Sequence, residues 1–403
     1  MSLYFIITPL IQYFGDQEYL VTRLAATEGL PRMIWVAFCV AVGISAFFLA
    51  YFKTKPGQPK FGLPQDSWPL GTWGVLVLML LGAFYTLIKY RGSYGFTREA
   101  VLIVGSKFVG NITGYEYVMH YFASFPIALL ILRRSTRVLG FTFLVLYLLG
   151  RLGDAWDRQS AVSLLLGVTM IVASLRSRLW PPRRWIALVL AFTLLMAVRG
   201  HLSFTEAREY GMFTKQNIEA EVKKGEGASM LATLYLSTYM YDKAGYSYGV
   251  PLVSGLLFGA LPRKYFPWKD WLALQVQPDY KKIRNPEVFT MMYGAKDSVM
   301  GDLYGNGNIV GIVLGMLLLG FLVRKLDGWV ASEAPVTVRA MGFIWMGSLW
   351  LIFGSGLMWG ASGIYLTGIP FLGVVLCAKI FARRKAYGEK VASPRFVPGK
   401  PSI

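Results

Sequence analysis

The chain has 403 residues, of which 55% are apolar and only 16% are charged, and its formal net charge is +19. The apolar residues fall in blocks of about 15–21, close to the roughly 20 residues that cross a lipid bilayer. A soluble globular protein would need polar helix faces, which these blocks lack. The positive charges lie in short clusters between the blocks, a pattern that indicates membrane topology and excludes a continuous nucleic-acid-binding face.

The apolar blocks predict an all-α, polytopic membrane helix bundle of about ten transmembrane helices. We expect an N-terminal bundle of about seven spans (1–200), a long polar loop (201–305), three C-terminal spans (306–382) and a tail (383–403). The predicted spans lie near 33–52, 69–88, 115–132, 138–152, 160–175, 185–200, 306–323, 340–357 and 361–381, with a marginal segment at 2–14.

The basic clusters predict the orientation of the spans, because short positively charged loops stay in the cytoplasm. Alternate connections carry the larger clusters, so we place the C-terminus in the cytoplasm and the 201–305 loop outside. Within this loop, the apolar stretches 231–241 and 250–262 predict short helices that lie on or dip into the outer membrane face, with tyrosines at headgroup level. The loop would then form a folded cap over the bundle.

No soluble catalytic motif is visible: the sequence has neither a phosphate-cradling glycine loop nor a metal-ligand spacing. We therefore predict no cofactor and no metal ion. The remaining candidates are charged and aromatic residues at the outer ends of the spans.

Two candidate groups adjoin the N-terminal bundle. Arg158 begins a span, and an arginine fork can hold a diphosphate bidentately; alternatively it extends to the interface or pairs with a neighbouring aspartate. The second group, just outside span 185–200, comprises Arg199, His201, Glu206 and Arg208. Arg199 is the informative member because loop-charge rules do not explain an arginine there, whereas His201 by itself is more typical of a structural histidine.

A third group lies in the loop, where LPRKYFPWKDW (261–271) contains Arg263, Lys269 and Trp268. This combination would suit an anionic headgroup with a sugar stacked on the indole. The alternative is a general interfacial anchor of basic and aromatic residues.

The fourth group leads into the span at 306, with Asp302, Tyr304 and Asn306 among closely spaced glycines. The glycines are explained by close helix packing. A carboxylate at a membrane boundary is costly unless it is paired or functional, so Asp302 is the strongest catalytic candidate. Its alternative role is to cap the helix N-terminus.

These motifs resemble those of the Wzy-type O-antigen and exopolysaccharide repeat-unit polymerases. The resemblance lies in LPRKYFPWKD (261–270), in Gly301-Asp302-x-Tyr304-x-Asn306, and in the arginine that precedes an apolar span in DRQSAVSLLLG (157–167). After the asparagine the family often has Phe-Gly, where this chain has Gly307-Asn308.

The resemblance implies a glycosyltransferase of the bacterial inner membrane whose donor and acceptor are oligosaccharides on undecaprenyl diphosphate. It implies an inverting displacement at the periplasmic face. Arg158 and Arg199 would neutralise the leaving diphosphate, assisted by Arg263 and Lys269, and Asp302 would orient or deprotonate the acceptor hydroxyl. Tyr304 and Asn306 would bind sugar or shape the site. A chain-length regulator and a flippase are the expected protein partners.

Two other functions fit the same layout. A polysaccharide ligase, which transfers finished polymer from the same lipid, shares the many spans and the long outer loop. A transporter or flippase of lipid-linked sugar would show interrupted helices and polar residues at mid-membrane. The predicted spans are mostly free of such features, which favours an enzyme.

Overall fold

The computed structural model describes residues 29–57, 70–89, 119–152, 158–176, 181–201, 230–250, 298–355 and 366–380, and the single residues 253, 357 and 364. These residues form helices and turns without any β-strand, which confirms the all-α class for the described part of the chain. The marginal segment 2–14, the stretch 254–297 and the tail 383–403 lie outside it. The helices are α1 (Leu30–Lys53), α2 (Leu70–Lys89), α3 (Ser124–Leu132), α4 (Arg137–Leu152), α5 (Arg158–Leu175), α6 (Arg183–His201), α7 (Met230–Ala244), α8 (Val299–Val330), α9 (Val336–Ser355) and α10 (Leu366–Ile380).

Proline and glycine lie at helix starts and close helix contacts, where their backbone properties suit them. Pro31 occupies the first turn of α1, where its missing N–H has no helical partner to lose. Gly140 lets α4 fold back on α3, because a Cβ there would lie 2.6 Å from the backbone nitrogen of Ile131. The helix ends therefore follow from local sequence, and most lie within a few residues of the predicted bounds.

Helix α8 differs most from the prediction, since it runs from Val299 to Val330 rather than from 306 to 323. Its N-cap is Ser298, whose hydroxyl accepts the N–H of Gly301 at 3.1 Å. The helix is broken at Gly307 and Asn308, where the backbone leaves helical geometry. The break lies at the start of the predicted span 306–323. Apolar periodicity missed the first seven residues because Asp302 and the closely spaced glycines interrupt it.

Helix α7 occupies the middle of the long polar segment and is packed against α1 and α8. Leu234, Ser237 and Thr238 are fully buried. Tyr235 is only 5% exposed, and its hydroxyl donates to the carbonyl of Gly29 at 3.1 Å. A helix was predicted here, but Tyr235 packs inside the protein and not at a headgroup surface.

The buried side chains form two main apolar clusters. One joins α1, α7 and α8, and the other joins α2, α3, α4, α5, α9 and α10. Helix α9 links them, since Ile352 belongs to the first cluster and Phe343 to the second. Backbones approach closely at glycines: a Cβ on Gly320 would meet the carbonyl oxygen of Phe47 at 2.2 Å. Small residues thus set the α1–α8 crossing, as in packed membrane helices.

Among the described helices, α1 and α8 are long and apolar enough to cross a membrane, and five shorter apolar helices accompany them. Large apolar side chains point outward along both: Ile34 and Phe38 on α1 are 63% and 50% exposed, and Leu314 and Leu318 on α8 are 62% and 57% exposed. Outward apolar faces of this kind indicate association with a membrane.

The contacts also establish the direction of each helix. Helices α1 and α8 run parallel, because Trp35 contacts Tyr304 near their starts and Thr54 contacts Arg324 near their ends. Helix α9 runs antiparallel to α5, because Arg339 donates to Ser174 and Gly347 packs on Ser163. We call the end where α1, α5 and α8 begin the upper end, and the opposite end the lower end.

Helix α6 begins near the lower end of α5, where the indole nitrogen of Trp185 donates to the hydroxyl of Thr169 at 2.8 Å. Arg158 lies at the start of α5, and Arg199 and His201 lie at the end of α6.

Candidate functional site

A partly buried ion pair forms the centre of the upper end. The guanidinium of Arg32, in the first turn of α1, lies 2.5 Å from the carboxylate of Asp242 near the end of α7. The Arg32 side chain is 6% exposed and that of Asp242 is 25% exposed. Removing an arginine from water is costly unless a carboxylate compensates its charge. The pair thus ties α7, from the long polar segment, to the start of α1.

Two tyrosines also donate hydrogen bonds to the Asp242 carboxylate. The Tyr304 hydroxyl, on α8, donates to Oδ1 at 2.7 Å, and the Tyr246 hydroxyl donates to the same oxygen. The indole N–H of Trp35 donates to the Tyr304 hydroxyl at 3.1 Å. Burial, followed by the hydrogen bond to Asp242, raises the pKa of Tyr246 to about 12, so this phenol remains a donor at neutral pH. Asp242 therefore joins α1, α7, α8 and the turn after α7.

The network extends to the break in α8 through Asn308. Its amide nitrogen donates to the Tyr246 hydroxyl at 2.9 Å, and its amide oxygen accepts the N–H of Ile309 at 2.6 Å. Asn308 has φ +55° and ψ −149°, a positive-φ conformation that glycine adopts far more readily than residues with a Cβ. The side chain thus holds the turn on one side and caps the second part of α8 on the other.

Asp302 lies on a different face of α8 from Tyr304, as expected for residues two apart on a helix. Its carboxylate accepts the backbone N–H of Leu357, just past the end of α9, at 2.7 Å. Ser298 caps the helix, so the capping alternative for Asp302 is wrong. A carboxylate has about four acceptor positions, of which the Leu357 N–H occupies one.

Asn306 lies one turn beyond Asp302 on the same face. Its amide nitrogen donates to the Asp302 carbonyl at 2.6 Å, which fixes the orientation of the amide. Its amide oxygen is buried and accepts no hydrogen bond from the described residues. A buried acceptor of this kind is costly in a finished protein core and is more typical of a site whose partner arrives with a ligand or water.

The predicted site residues fall into three sets. Asp302, Tyr304 and Asn306 are fully described, and Tyr304 is only 1% exposed. For Arg158, Arg199 and His201, the structure describes the helical backbone but not the side chains. The remaining predictions, all in the long polar segment, lie outside the described residues; they are Glu206, Arg208, Arg263, Trp268 and Lys269.

Sequence reasoning missed the central ion pair, although signals were present. Arg32 lies at the outer end of a predicted span, and the argument that singled out Arg199 applies to it equally. Asp242 directly follows the apolar stretch 231–241, where a carboxylate requires a partner. The pairing itself joins residues 210 positions apart, so it emerges only from the fold.

Comparison with known proteins adds no relative: no family model, curated protein or solved structure matches the chain.

Proposed function

We propose that the protein is a multi-pass glycosyltransferase of the bacterial inner membrane that polymerises oligosaccharide repeat units carried on undecaprenyl diphosphate. The observation that carries this proposal is the meeting of charged and polar groups at the upper end of an outwardly apolar bundle. In this proposal the upper end faces the periplasm, the C-terminus is cytoplasmic, and about ten helices cross the membrane.

The substrates explain why cations and a carboxylate would be needed together. The leaving group is a lipid diphosphate, whose charge grows as the glycosidic bond breaks, and positioned arginines stabilise such charge. Arg158, at the start of α5, and Arg199, near the end of α6, take this role. Arg263 and Lys269 assist, while Trp268, His201, Glu206 and Arg208 line the sugar path.

Asp302 is the proposed base. The acceptor hydroxyl oxygen attacks the anomeric carbon of the donor, the bond from that carbon to the diphosphate oxygen breaks with its electron pair, and the hydroxyl proton passes to the carboxylate. The N–H of Leu357 fixes one carboxylate oxygen. Asn306 then offers its amide oxygen to a sugar hydroxyl, which supplies the donor that the buried acceptor lacks among the described residues.

The break in α8 raises a second candidate, a lipid-linked sugar transporter, because transporters use broken helices as binding sites near mid-membrane. The position of this break argues against it. The part of α8 beyond Asn308, residues 309–330, is about 33 Å long as a helix, which is enough to cross the apolar layer of a bilayer. The break then falls at the membrane boundary, where an enzyme acting on lipid headgroups would have its site.

The test is a gene deletion complemented with single variants. Asp302→Asn and Arg158→Ala are expected to abolish surface polymer and leave single lipid-linked repeat units, with protein still present in the membrane. Asp327→Asn, which changes a carboxylate at the lower end of the same helix, is the matched control and should keep the normal polymer ladder. Gel analysis of polysaccharide and mass spectrometry of lipid-linked intermediates provide the measurements.

The outcomes separate the candidates. A normal ladder from Asp302→Asn would remove that residue from the mechanism. Long polymer accumulating on the lipid in the deletion strain would identify a ligase, and repeat units confined to the cytoplasmic leaflet would identify a transporter.

A further inference from the structure

The turn that follows α7 has an unusual backbone. Gly245 and Gly249 have φ values of +97° and +77°, which glycine adopts at little cost. Tyr248 lies between them with φ +48°. For a residue with a bulky side chain, the left-handed region costs roughly 1–2 kcal/mol. Tyr248 therefore adopts a positive φ that glycine would adopt without strain.

The N–H of Val250 donates to the carbonyl of Ser247 at 3.1 Å and closes the turn around Tyr248, but the side chain gains little from the described residues. The Tyr248 side chain is 74% exposed. Its ring meets the edge of the Tyr246 ring at a centroid distance of 6.4 Å, and its hydroxyl makes no hydrogen bond within the described part of the chain. Strain that surrounding structure maintains without a packing benefit is typical of functional positions.

The turn is firmly attached to the candidate site. The N–H of Ser247 donates to the carbonyl of Gly305 at 2.8 Å, and Gly305 lies between Tyr304 and Asn306. On the other side, Tyr246 is held by Asp242 and Asn308. The exposed ring of Tyr248 is therefore presented from a rigid base beside the Asp302 helix.

We infer that Tyr248 is a stacking residue for a sugar ring of the lipid-linked oligosaccharide, with Tyr246 as the fixed second wall of an aromatic corner. This inference rests on the proposed function. The C–H face of a pyranose is apolar and flat enough to lie on an aromatic ring, while its hydroxyls remain free for polar groups. A tyrosine suits this task because it offers a large contact area with few rotatable bonds.

A substitution series tests the inference, because strain and stacking make opposite predictions. Tyr248→Gly removes the backbone strain, so its thermal midpoint should equal or exceed that of the wild type. The same variant lacks the ring, so its ratio of polymer to single repeat units should fall roughly three- to tenfold, the range expected for one aromatic contact. Tyr248→Phe and Tyr248→Trp keep a ring and should remain near the wild-type ratio.

Tyr248→Leu is the matched control for a membrane-anchoring role, since leucine remains apolar but cannot stack. We expect it to behave as Tyr248→Gly does in the polymer assay. Wild-type polymer from Tyr248→Leu would assign the side chain to the lipid interface and overturn the inference. Wild-type polymer from Tyr248→Gly would show that the ring has no role in the reaction.

A direct binding measurement separates this inference from the proposed function. The purified full chain in phosphatidylglycerol nanodiscs is examined by ligand-observed NMR with a panel of tetrasaccharides. Saturation transfer that persists in Tyr248→Phe but is lost in Tyr248→Leu would support sugar stacking even if the deletion strain showed no polymer defect. Equal saturation transfer in all variants, or none in the wild type, would overturn the inference.

Discussion

Helices α1 and α8 carry a cluster of arginine, aspartate and tyrosine at each end, and the two clusters differ in construction. At the upper end the cluster contains Arg32, Asp242 and Tyr304. At the lower end, Arg324 lies 3.1 Å from the carboxylate of Asp327, and the Tyr51 hydroxyl donates to the same oxygen at 2.6 Å.

The lower cluster is local and open to solvent. Arg324 and Asp327 are three residues apart on α8, with side chains 31% and 24% exposed. Arg324 also donates to the carbonyl of Thr54 at 3.3 Å, so the cluster fastens the end of α1. Exposed pairs of this kind contribute little to stability because water screens the charges.

The upper cluster is non-local and more deeply buried. It joins three helices and a turn, and the Arg32 side chain is only 6% exposed. The two clusters contain the same residue types, so residue composition alone does not set how much a charged cluster contributes to stability. Its burial and the number of separate segments that it joins set this contribution. Equivalent substitutions at the two ends test this difference.

The largest difference is expected for the arginines. Arg32→Ala leaves the Asp242 carboxylate without its cation, and we expect a loss of about 2–3 kcal/mol in the free energy of unfolding, less than for a fully buried pair because Asp242 is partly exposed. Arg324→Ala should shift the thermal midpoint only slightly. Thermal unfolding of the purified full chain, followed at one scan rate, makes the comparison; equal shifts would contradict it.

A smaller difference is expected for the tyrosine hydroxyls. Tyr304→Phe removes a donor to Asp242 and leaves the Trp35 N–H without its acceptor, which should cost about 1–2 kcal/mol. In Tyr51→Phe the Asp327 carboxylate keeps Arg324, so we expect less than about 1 kcal/mol. The same thermal measurement applies, and a larger effect of Tyr51→Phe would reverse the ranking of the two ends.

The smallest effect concerns the break in α8. Because Asn308 has positive φ, Asn308→Gly should be about 1 kcal/mol more stable than Asn308→Ala, although both lose the bond to Tyr246. Asn306, in the helical part before the break, provides the control: there, Asn306→Ala should be the more stable variant by about 0.5–1 kcal/mol. If the alanine variant were the more stable one at both positions, the helix would not be broken at Asn308.

The helical architecture could be predicted from sequence to a large extent. Apolar blocks placed most helices within a few residues, because the need to satisfy backbone groups in an apolar environment leaves few alternatives. The start of helix α8 was mispredicted because Asp302 and the glycines around it interrupt the apolar pattern before residue 306. Hydropathy assigns these residues to the loop, whereas Ser298 as the N-cap and packing on α7 make residues 299–306 helical.

Part of the candidate site could also be predicted from the sequence. The sequence by itself determined the helical class of the described residues, the grouping of Asp302, Tyr304 and Asn306 before an apolar stretch, and the position of charges at the ends of apolar blocks. These features follow from composition and local spacing. Only the tertiary structure decided that Tyr304 faces Asp242 while Asp302 faces Leu357, and that Arg32 meets a carboxylate 210 residues away. Pairings of this kind depend on helix directions and crossings, which are set by close contacts such as Gly320 on Phe47 and are not encoded in any local pattern.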